Sequence, residues 1–150
     1  MKKVLLLAGL CALTIASCKK NKKASNTSYL TNGQWYQKSA VASVNINGTT
    51  LSYDLFMQFP ECMKDDYRVF ERNGDVIKNE GMTKCNEEDP QEAVEGQWMF
   101  TESETMIQLP LLGNMVDMKI VELNRDMLVV QAEQNYNGAL ASFTLTFAHE

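Results

Sequence analysis

Residues 139–148 read ALASFTLTFA, and this run decides the fold class. The apolar side chains occupy every second position, at Ala141, Phe143, Leu145 and Phe147. The positions between them are polar, at Ser142, Thr144 and Thr146. Successive side chains of a β-strand point to opposite faces, so a period of two indicates a strand with one buried and one solvated face.

Similar short runs, separated by turn signals, fill the chain from about residue 29 onward. Asn-Gly pairs at 47–48, 73–74 and 137–138 are typical of tight hairpins, because both residues tolerate a positive φ. The predicted strands are 35–45, 51–59, 67–71, 76–78, 96–101, 105–109, 116–123, 127–133 and 139–148, with a short helix as the alternative for 51–59. The pattern predicts an all-β fold, a single antiparallel up-and-down barrel of about eight strands, with a sandwich as the alternative.

The composition fits one folded domain. The chain has 150 residues, of which 45% are hydrophobic and 22% are charged, and its formal net charge is −5. This length excludes a multidomain enzyme, and this hydrophobicity argues against a disordered chain. Nucleic acid is not an expected partner, because a phosphate-binding face needs an excess of basic residues.

Residues 1–17 are predicted to be a signal peptide, with Lys2 and Lys3 before an apolar run that is too short to span a bilayer. The run ends in Thr-Ile-Ala-Ser before Cys18, which resembles the lipobox of bacterial lipoproteins. The resemblance implies cleavage before Cys18 and acylation of that residue, with chains such as palmitate, as the membrane anchor. An ordinary secreted protein with an incidental Cys18 is the alternative. After cleavage, 12 basic residues face 19 acidic ones, a net charge of −7.

Residues 18–28 combine the predicted lipidated cysteine with a polar, flexible tether that contains four lysines. These lysines could contact anionic headgroups or be solvated. The lipoprotein resemblance implies sorting to the outer membrane, because lysine rather than aspartate follows Cys18, and we expect the periplasmic face. Residues 29–150 are then the folded domain.

Two cysteines, Cys62 and Cys85, remain in that domain. Thiols in an oxidising compartment tend to pair, so we predict a structural disulfide worth about 3 kcal/mol. A redox pair or a metal site is the alternative. The chain has no C-x-x-C spacing, and His149 is its only histidine, so a zinc site lacks ligands.

Several short motifs resemble a known family. Gly33-Gln34-Trp35 is similar to the G-x-W opening of lipocalins. The pattern from Cys62 through Asn73-Gly74 and Cys85 to Trp98 resembles the lipocalin-like lipoproteins of Bacteroidetes. The resemblance implies a calycin-type barrel with one open mouth and an apolar interior, in which Gly33 and Trp35 form a structural motif at the closed end. Lipocalins usually pack an arginine from the last strand over this tryptophan, and no arginine follows residue 125 here.

Catalytic machinery is not expected, and neither is a cofactor. His149 is predicted to be an exposed tail side chain, which leaves no base for a serine or cysteine nucleophile. Asp65 and Asp66 should point to opposite faces and cap a turn rather than form a catalytic pair. The acidic segment 80–104 is predicted to be a solvated loop, with a calcium site as the alternative.

The function predicted from the sequence is therefore binding. A barrel interior could accept a small hydrophobic ligand, and methionine adapts to irregular apolar shapes. Core filling is the alternative for the same side chains. The predicted wall residues are Trp98, Phe100, Met106, Met118, Phe143 and Leu145. A second hypothesis is an envelope interaction module with a solidly packed barrel and no small ligand, whose acidic loop binds a protein partner. The oligomeric state stays open.

Overall fold

A computed structural model of the protein describes residues 24–111, 113–136 and 139–149. The signal peptide, Cys18 and the first part of the tether lie outside the described residues, as does the predicted turn at 137–138. The described chain is all-β apart from one short helix, α1 (Asn26–Leu30). Its ten strands are β1 (Trp35–Ile46), β2 (Thr49–Asp54), β3 (Tyr67–Phe70), β4 (Asp75–Asn79), β5 (Glu92–Gln97), β6 (Met99–Thr101), β7 (Met106–Leu111), β8 (Asn114–Leu123), β9 (Met127–Tyr136) and β10 (Ala139–Ala148).

These strands form one antiparallel sheet. Along the hydrogen-bonded path the order is β5-β4-β3-β1-β10-β9-β8-β7-β6, and β2 also pairs with β1. The strand β1 has two partners on one edge: its start pairs with β3, and its end, Val41–Ile46, pairs with β2. Its other edge pairs with β10, from Tyr36 opposite Ala148 to Asn45 opposite Leu140.

The sheet is not closed into a barrel, and it has more strands than the eight expected. The predicted strand 96–101 is divided at Trp98, because the chain changes partners there: β5 pairs with β4, whereas β6 pairs with β7. The two ends of the ladder are thus separated by one residue in sequence. The strand β5 also approaches β7, the neighbour of β6, since a Cβ placed on Gly96 would lie 2.6 Å from Cβ of Pro110 on β7.

The core lies on the inner face of this curved sheet. In β10, Leu145 and Phe147 are each 2% exposed and Phe143 packs against the core, as the alternation predicted. Burying a side chain of this size contributes about 1.5–3 kcal/mol. The core residues come from α1, β1, β3, β4, β7, β8, β9 and β10 and from Trp98, and the largest are Trp35, Phe70, Phe147, Leu30, Ile107, Met118, Leu128, Val76 and Val130.

The end of the segment predicted as a flexible tether is folded instead. The side chain of Ser25 accepts a hydrogen bond from the backbone N–H of Ser28, which caps α1 at its start. Leu30, the last residue of α1, is fully buried, and its carbonyl accepts a hydrogen bond of 2.8 Å from Nε1 of Trp35. The local cap and the apolar contact explain why residues 26–28 are helical although they are polar.

The segment 51–59, predicted as one strand or a short helix, is divided. The strand β2 ends at Asp54, whose Oδ1 accepts a hydrogen bond from the backbone N–H of Phe56 at 2.9 Å. A 3₁₀ turn follows at Phe56–Gln58, and a second one at Glu61–Met63 begins after Pro60. The aspartate therefore turns the chain away from the sheet and across its inner side.

Candidate functional site

A cavity of about 380 Å³ lies on the inner side of the sheet beneath residues 55–63. Half of the lining side chains are apolar, and a group of charged residues forms the rest of the wall together with Gln37 and Gly113. The apolar ones are Leu55, Phe59, Met63, Leu111, Phe143 and Leu145. The charged ones are Asp66, Arg68, Lys78 and Glu95. A mostly apolar cleft with a few convergent polar groups is the usual form of a small-molecule site.

A wider depression of about 720 Å³ lies on the opposite face of β3, around Asp65 and Tyr67. Its lining is mainly polar. Asp65 is engaged there in holding a turn, because its Oδ2 accepts hydrogen bonds from the backbone N–H groups of Met82 and Thr83. Burial would raise the pKa of Asp65, but these bonds and the one from the Thr83 hydroxyl lower it overall. The depression therefore has a structural explanation, and the apolar cavity is the better candidate.

Residues 55–63 cover the cavity and are called its roof, and several contacts fix their position. The backbone N–H of Leu55 donates to the carbonyl of Ala40 at 2.8 Å, and the rings of Phe56 and Phe59 are 5.6 Å apart. The predicted disulfide is present: Cys62, in the second 3₁₀ turn, is bonded to Cys85 with a Cα–Cα distance of 5.2 Å. The disulfide connects the roof to the loop that follows β4.

One ion pair on the cavity wall joins β3 to β5. Arg68 contacts Glu95 with two hydrogen bonds, Nε to Oε2 at 2.6 Å and Nη2 to Oε1 at 2.9 Å. The two side chains are 16% and 24% exposed. The guanidinium of Arg68 also lies over the ring of Phe147, 5.9 Å from its centroid. A bidentate arginine–carboxylate pair is among the stronger polar contacts in proteins.

A second ionic group lies beside it. Nζ of Lys78 contacts Oδ2 of Asp66 at 3.0 Å and Oε1 of Glu80 at 2.7 Å. Burial would lower the pKa of Lys78, but its hydrogen bonds to Glu80 and Asp66 outweigh this effect and raise it. Asp66 is only 5% exposed, and burial raises its pKa in spite of the lysine. Its Oδ1 is buried and accepts no hydrogen bond from any described residue.

The residues predicted to form the cavity wall are only partly together. Phe143 and Leu145 line the cavity. Trp98 and Met118 belong to the buried core, Phe100 packs on Trp98 at a centroid distance of 5.3 Å, and Met106 is half-buried on β7. Nε1 of Trp98 donates to the carbonyl of Glu71, which fixes its ring near the β3–β4 turn. These four side chains do not line the 380 Å³ cavity, because the half of the sheet that carries them is filled with core.

Sequence reasoning missed the charged wall residues. Asp66 and Arg68 alternate with Tyr67, and Lys78 lies opposite Arg68 in the β3–β4 ladder, so a period of two placed them on one face. This spacing was the available signal. Charged residues at alternate positions ordinarily indicate the solvated face of a strand, and here they occupy the inner face because they neutralise one another.

The predicted motif of Gly33 and Trp35 is at the opposite end of β1 from the Asn47–Gly48 turn. Trp35 is fully buried, and the ring of His149 meets it edge-on at a centroid distance of 4.0 Å. The prediction of an exposed His149 is therefore wrong. The β1–β10 ladder extends to Ala148, and the backbone N–H of His149 then donates to the carbonyl of Asp126, which holds the last described residue on the tryptophan.

The acidic segment 80–104 was predicted to be a solvated loop, but several of its carboxylates contact residues of the sheet. Glu80 and Glu95 contact Lys78 and Arg68, and Glu92 accepts a hydrogen bond from Asn79. The exposed acidic residues of the segment are Glu87, Glu88, Asp89, Glu92, Glu102 and Glu104, and the first three are consecutive. Within the described residues no group of three or more histidine, cysteine, aspartate or glutamate side chains is placed to hold a metal ion.

No protein-family model matches this chain, and no curated protein is significantly similar to it. None of the helices in the described residues has the length and apolar character needed to cross a bilayer.

Proposed function

We propose that the protein is a lipocalin-like lipoprotein of the cell envelope that binds a small molecule with an apolar body. The observation that carries the proposal is the cavity of about 380 Å³, whose apolar wall contains Phe143 and Leu145 from the strand that decides the fold. Its volume lies within the range of small-molecule sites. The role is binding without catalysis: Cys62 and Cys85 are joined in a disulfide, and the ring of His149 packs on Trp35.

The lipocalin-like part of the proposal concerns how the sheet encloses its ligand. The strands β5 and β6 flank Trp98 and form the two ends of the ladder, and Gly96 lies against Pro110. An incomplete barrel of this kind supports a cavity that is open on one side. Attachment to the outer membrane through Cys18 is supported by the lipobox-like residues 14–17 and by the lysine that follows Cys18, and the periplasmic face by the lack of an acidic run after Cys18.

A binding experiment tests the proposal on a chain from Lys19 to Glu150, which keeps every described strand and the whole described core. The variant Leu111→Trp fills the cavity, and Val121→Trp adds the same ring at a position that is 56% exposed on β8. We expect the neutral dye N-phenyl-1-naphthylamine to bind the unaltered chain and Val121→Trp, and to bind Leu111→Trp at least tenfold more weakly. Thermal unfolding verifies that each variant is folded.

Mass spectrometry of small molecules that co-purify with the full chain from native membranes is the complementary measurement. We expect an apolar compound in stoichiometric amount. If nothing co-purifies and the dye binds all three chains equally or none of them, the carrier function is wrong. The envelope interaction module would then be the better explanation, and its exposed acidic residues Glu87, Glu88 and Asp89 would be the place to cross-link a partner.

A further inference from the structure

The charged wall of the cavity restricts the chemistry of the ligand. Both basic side chains are already neutralised: Arg68 holds Glu95 with two hydrogen bonds, and Lys78 contacts Asp66 and Glu80. An anionic ligand, such as a fatty-acid carboxylate, would have to break one of these pairs to find a cation. A buried pair that loses one partner leaves an uncompensated charge, which is strongly unfavourable. The cavity is therefore poorly suited to anions.

The same wall has an unused acceptor. Asp66 is 95% buried, since 5% of its surface is exposed, and its Oδ1 accepts no hydrogen bond from the described residues. Buried polar atoms in proteins nearly always have a partner, so an exception needs an explanation. Protonation of Asp66 would not supply one, because it would replace an unpaired acceptor with an unpaired donor.

The cluster also carries an excess of negative charge. Three carboxylates, those of Asp66, Glu80 and Glu95, face the two cations Arg68 and Lys78. The terminal torsion of an aspartate side chain is broad and roughly two-fold. The carboxylate of Asp66 can therefore turn its second oxygen toward a donor in the cavity that it lines, while one oxygen stays with Lys78.

From this arrangement we infer that the ligand is an amine, with an apolar body against Phe143, Leu145 and Leu111 and an ammonium group that donates to Asp66. The ammonium supplies both the missing hydrogen-bond donor and the missing positive charge. This inference rests on the proposed function, because it specifies the polar end of the ligand in the same cavity.

Three eight-carbon probes test it: n-octylamine, n-octanol and n-octanoate, titrated calorimetrically into the chain from Lys19 to Glu150. Octylamine and octanol share the same eight-carbon chain and differ only in the head group, and octanoate carries a carboxylate on a chain that is one carbon shorter. We expect one octylamine per chain, bound at least tenfold more tightly than octanol, with octanoate weakest. If octanol or octanoate binds as tightly as the amine, the inference is wrong and the proposed function stands. If none of the three binds, the inference is wrong, and the dye and co-purification measurements then decide whether the proposed function stands.

Two substitutions distinguish binding of the ammonium group at Asp66 from a general attraction of cations to an acidic protein. Asp66→Asn should reduce octylamine to the affinity of octanol. Asp117→Asn, which removes the same charge from an exposed position on β8, should leave the preference unchanged. An unchanged preference in Asp66→Asn would overturn the inference.

If that variant does not fold, Lys78→Gln gives an independent test. Removal of the competing cation should strengthen octylamine binding and weaken octanoate binding several-fold. The opposite result would contradict the inference.

Discussion

At the scale of single residues, the contact between His149 and Trp35 shows how this chain closes the end of its sheet. A Cβ on Gly33 would lie 3.0 Å from the His149 ring, and Gly33 has a φ of +108°, which suits glycine. The imidazole of His149 thus packs against the backbone of Gly33 and against the indole of Trp35. The ring of His149 covers the indole of Trp35 at this end of β1.

The burial of His149 predicts a pH dependence of stability. Burial lowers the pKa of His149 below 6.5, nearby Arg125 acts in the same direction, and Asp126 opposes both. Its Nε2 is buried and has no partner among the described residues. The unfolded chain therefore binds a proton more readily than the native one, so stability should fall as the pH decreases from about 7 through the lowered pKa.

The variant His149→Phe isolates this effect, since it keeps a ring against Trp35 and removes the titration. Urea unfolding between pH 7.5 and 5 should show a falling midpoint for the unaltered protein and a smaller fall for the variant. Asp66 contributes with the opposite sign, because its raised pKa favours the native state as the pH falls, but it is present in both proteins and cancels in the difference. Parallel curves would show that His149 remains solvated.

At the scale of elements, the strands β5 and β7 approach each other closely although they are not paired in the sheet. Gly96 allows this approach, because Cβ of an alanine there would lie 2.6 Å from Cβ of Pro110 and 3.1 Å from its Cγ. Gly96→Ala should therefore destabilise the fold by about 1–3 kcal/mol, the usual cost of overpacking. Urea unfolding measures the change.

A double-mutant cycle distinguishes overpacking from a general loss of stability. In Gly96→Ala with Pro110→Gly, the added methyl group enters the space that the proline ring vacates. We expect the combined cost to be smaller than the sum of the two single costs by about 1 kcal/mol or more, a coupling typical of residues in contact. Additive costs would mean that β5 and β7 are not packed against each other here.

The disulfide links two elements that form no ladder together, the second 3₁₀ turn and the loop after β4. It closes a segment with a sequence separation of 23. Replacing both Cys62 and Cys85 with serine should lower the free energy of unfolding by about 3 kcal/mol, since the unfolded chain regains its freedom. The unaltered protein measured with a reductant should match the double variant. A difference well below 1 kcal/mol would show that the roof is held by its other contacts.

Local pattern accounts for those elements that the sequence predicted well. The run 139–148 is a strand with the expected buried side, and Asn47-Gly48 forms a turn with φ values of +50° and +82°. At Asn73-Gly74 a hairpin also forms, but only the glycine has a positive φ, and the N–H of Gly74 donates to the carbonyl of Glu71. The loop therefore contains three residues, 72–74, instead of the expected two. Its glycine adopts a left-handed conformation directly after a type I turn.

The remaining features depend on contacts between distant segments. The change of partners at Trp98 and the position of β1 between β3 and β10 follow from which strands meet, and one-dimensional periodicity does not contain that information. The charged cavity wall was missed for the same reason. Asp66, Arg68 and Lys78 become suitable for an interior only when Glu80 and Glu95 are brought beside them.

At the scale of the whole molecule, the predicted anchor at Cys18 is close in sequence to the first folded element, α1. The helix α1 packs at the Trp35 end of β1, since Leu30 contacts Trp35 there. Cys18 precedes Asn26 by eight residues, which reach at most about 28 Å when extended. An acyl chain on Cys18 would therefore keep α1, and with it the Trp35 end of β1, within about 28 Å of the membrane.

The variant Cys18→Ser tests the predicted lipidation when the full chain is expressed in a bacterial host. The unaltered protein should lose residues 1–17 and incorporate labelled palmitate, and its intact mass should exceed that of the chain from Cys18 to Glu150 by the mass of the added lipid. The variant should remain unlabelled and uncleaved, because the thiol that receives the lipid is absent.

Cys11→Ser is the matched control: it removes a thiol seven residues earlier, within the predicted signal, and should mature normally. Several acyl chains give stable attachment, since each buried CH₂ contributes about 0.8 kcal/mol, so the mature protein should stay with the membrane in high salt. Release by salt, or cleavage of the serine variant at the same bond, would mean that this is an ordinary secreted protein and that its lysine-rich segment acts only as a linker.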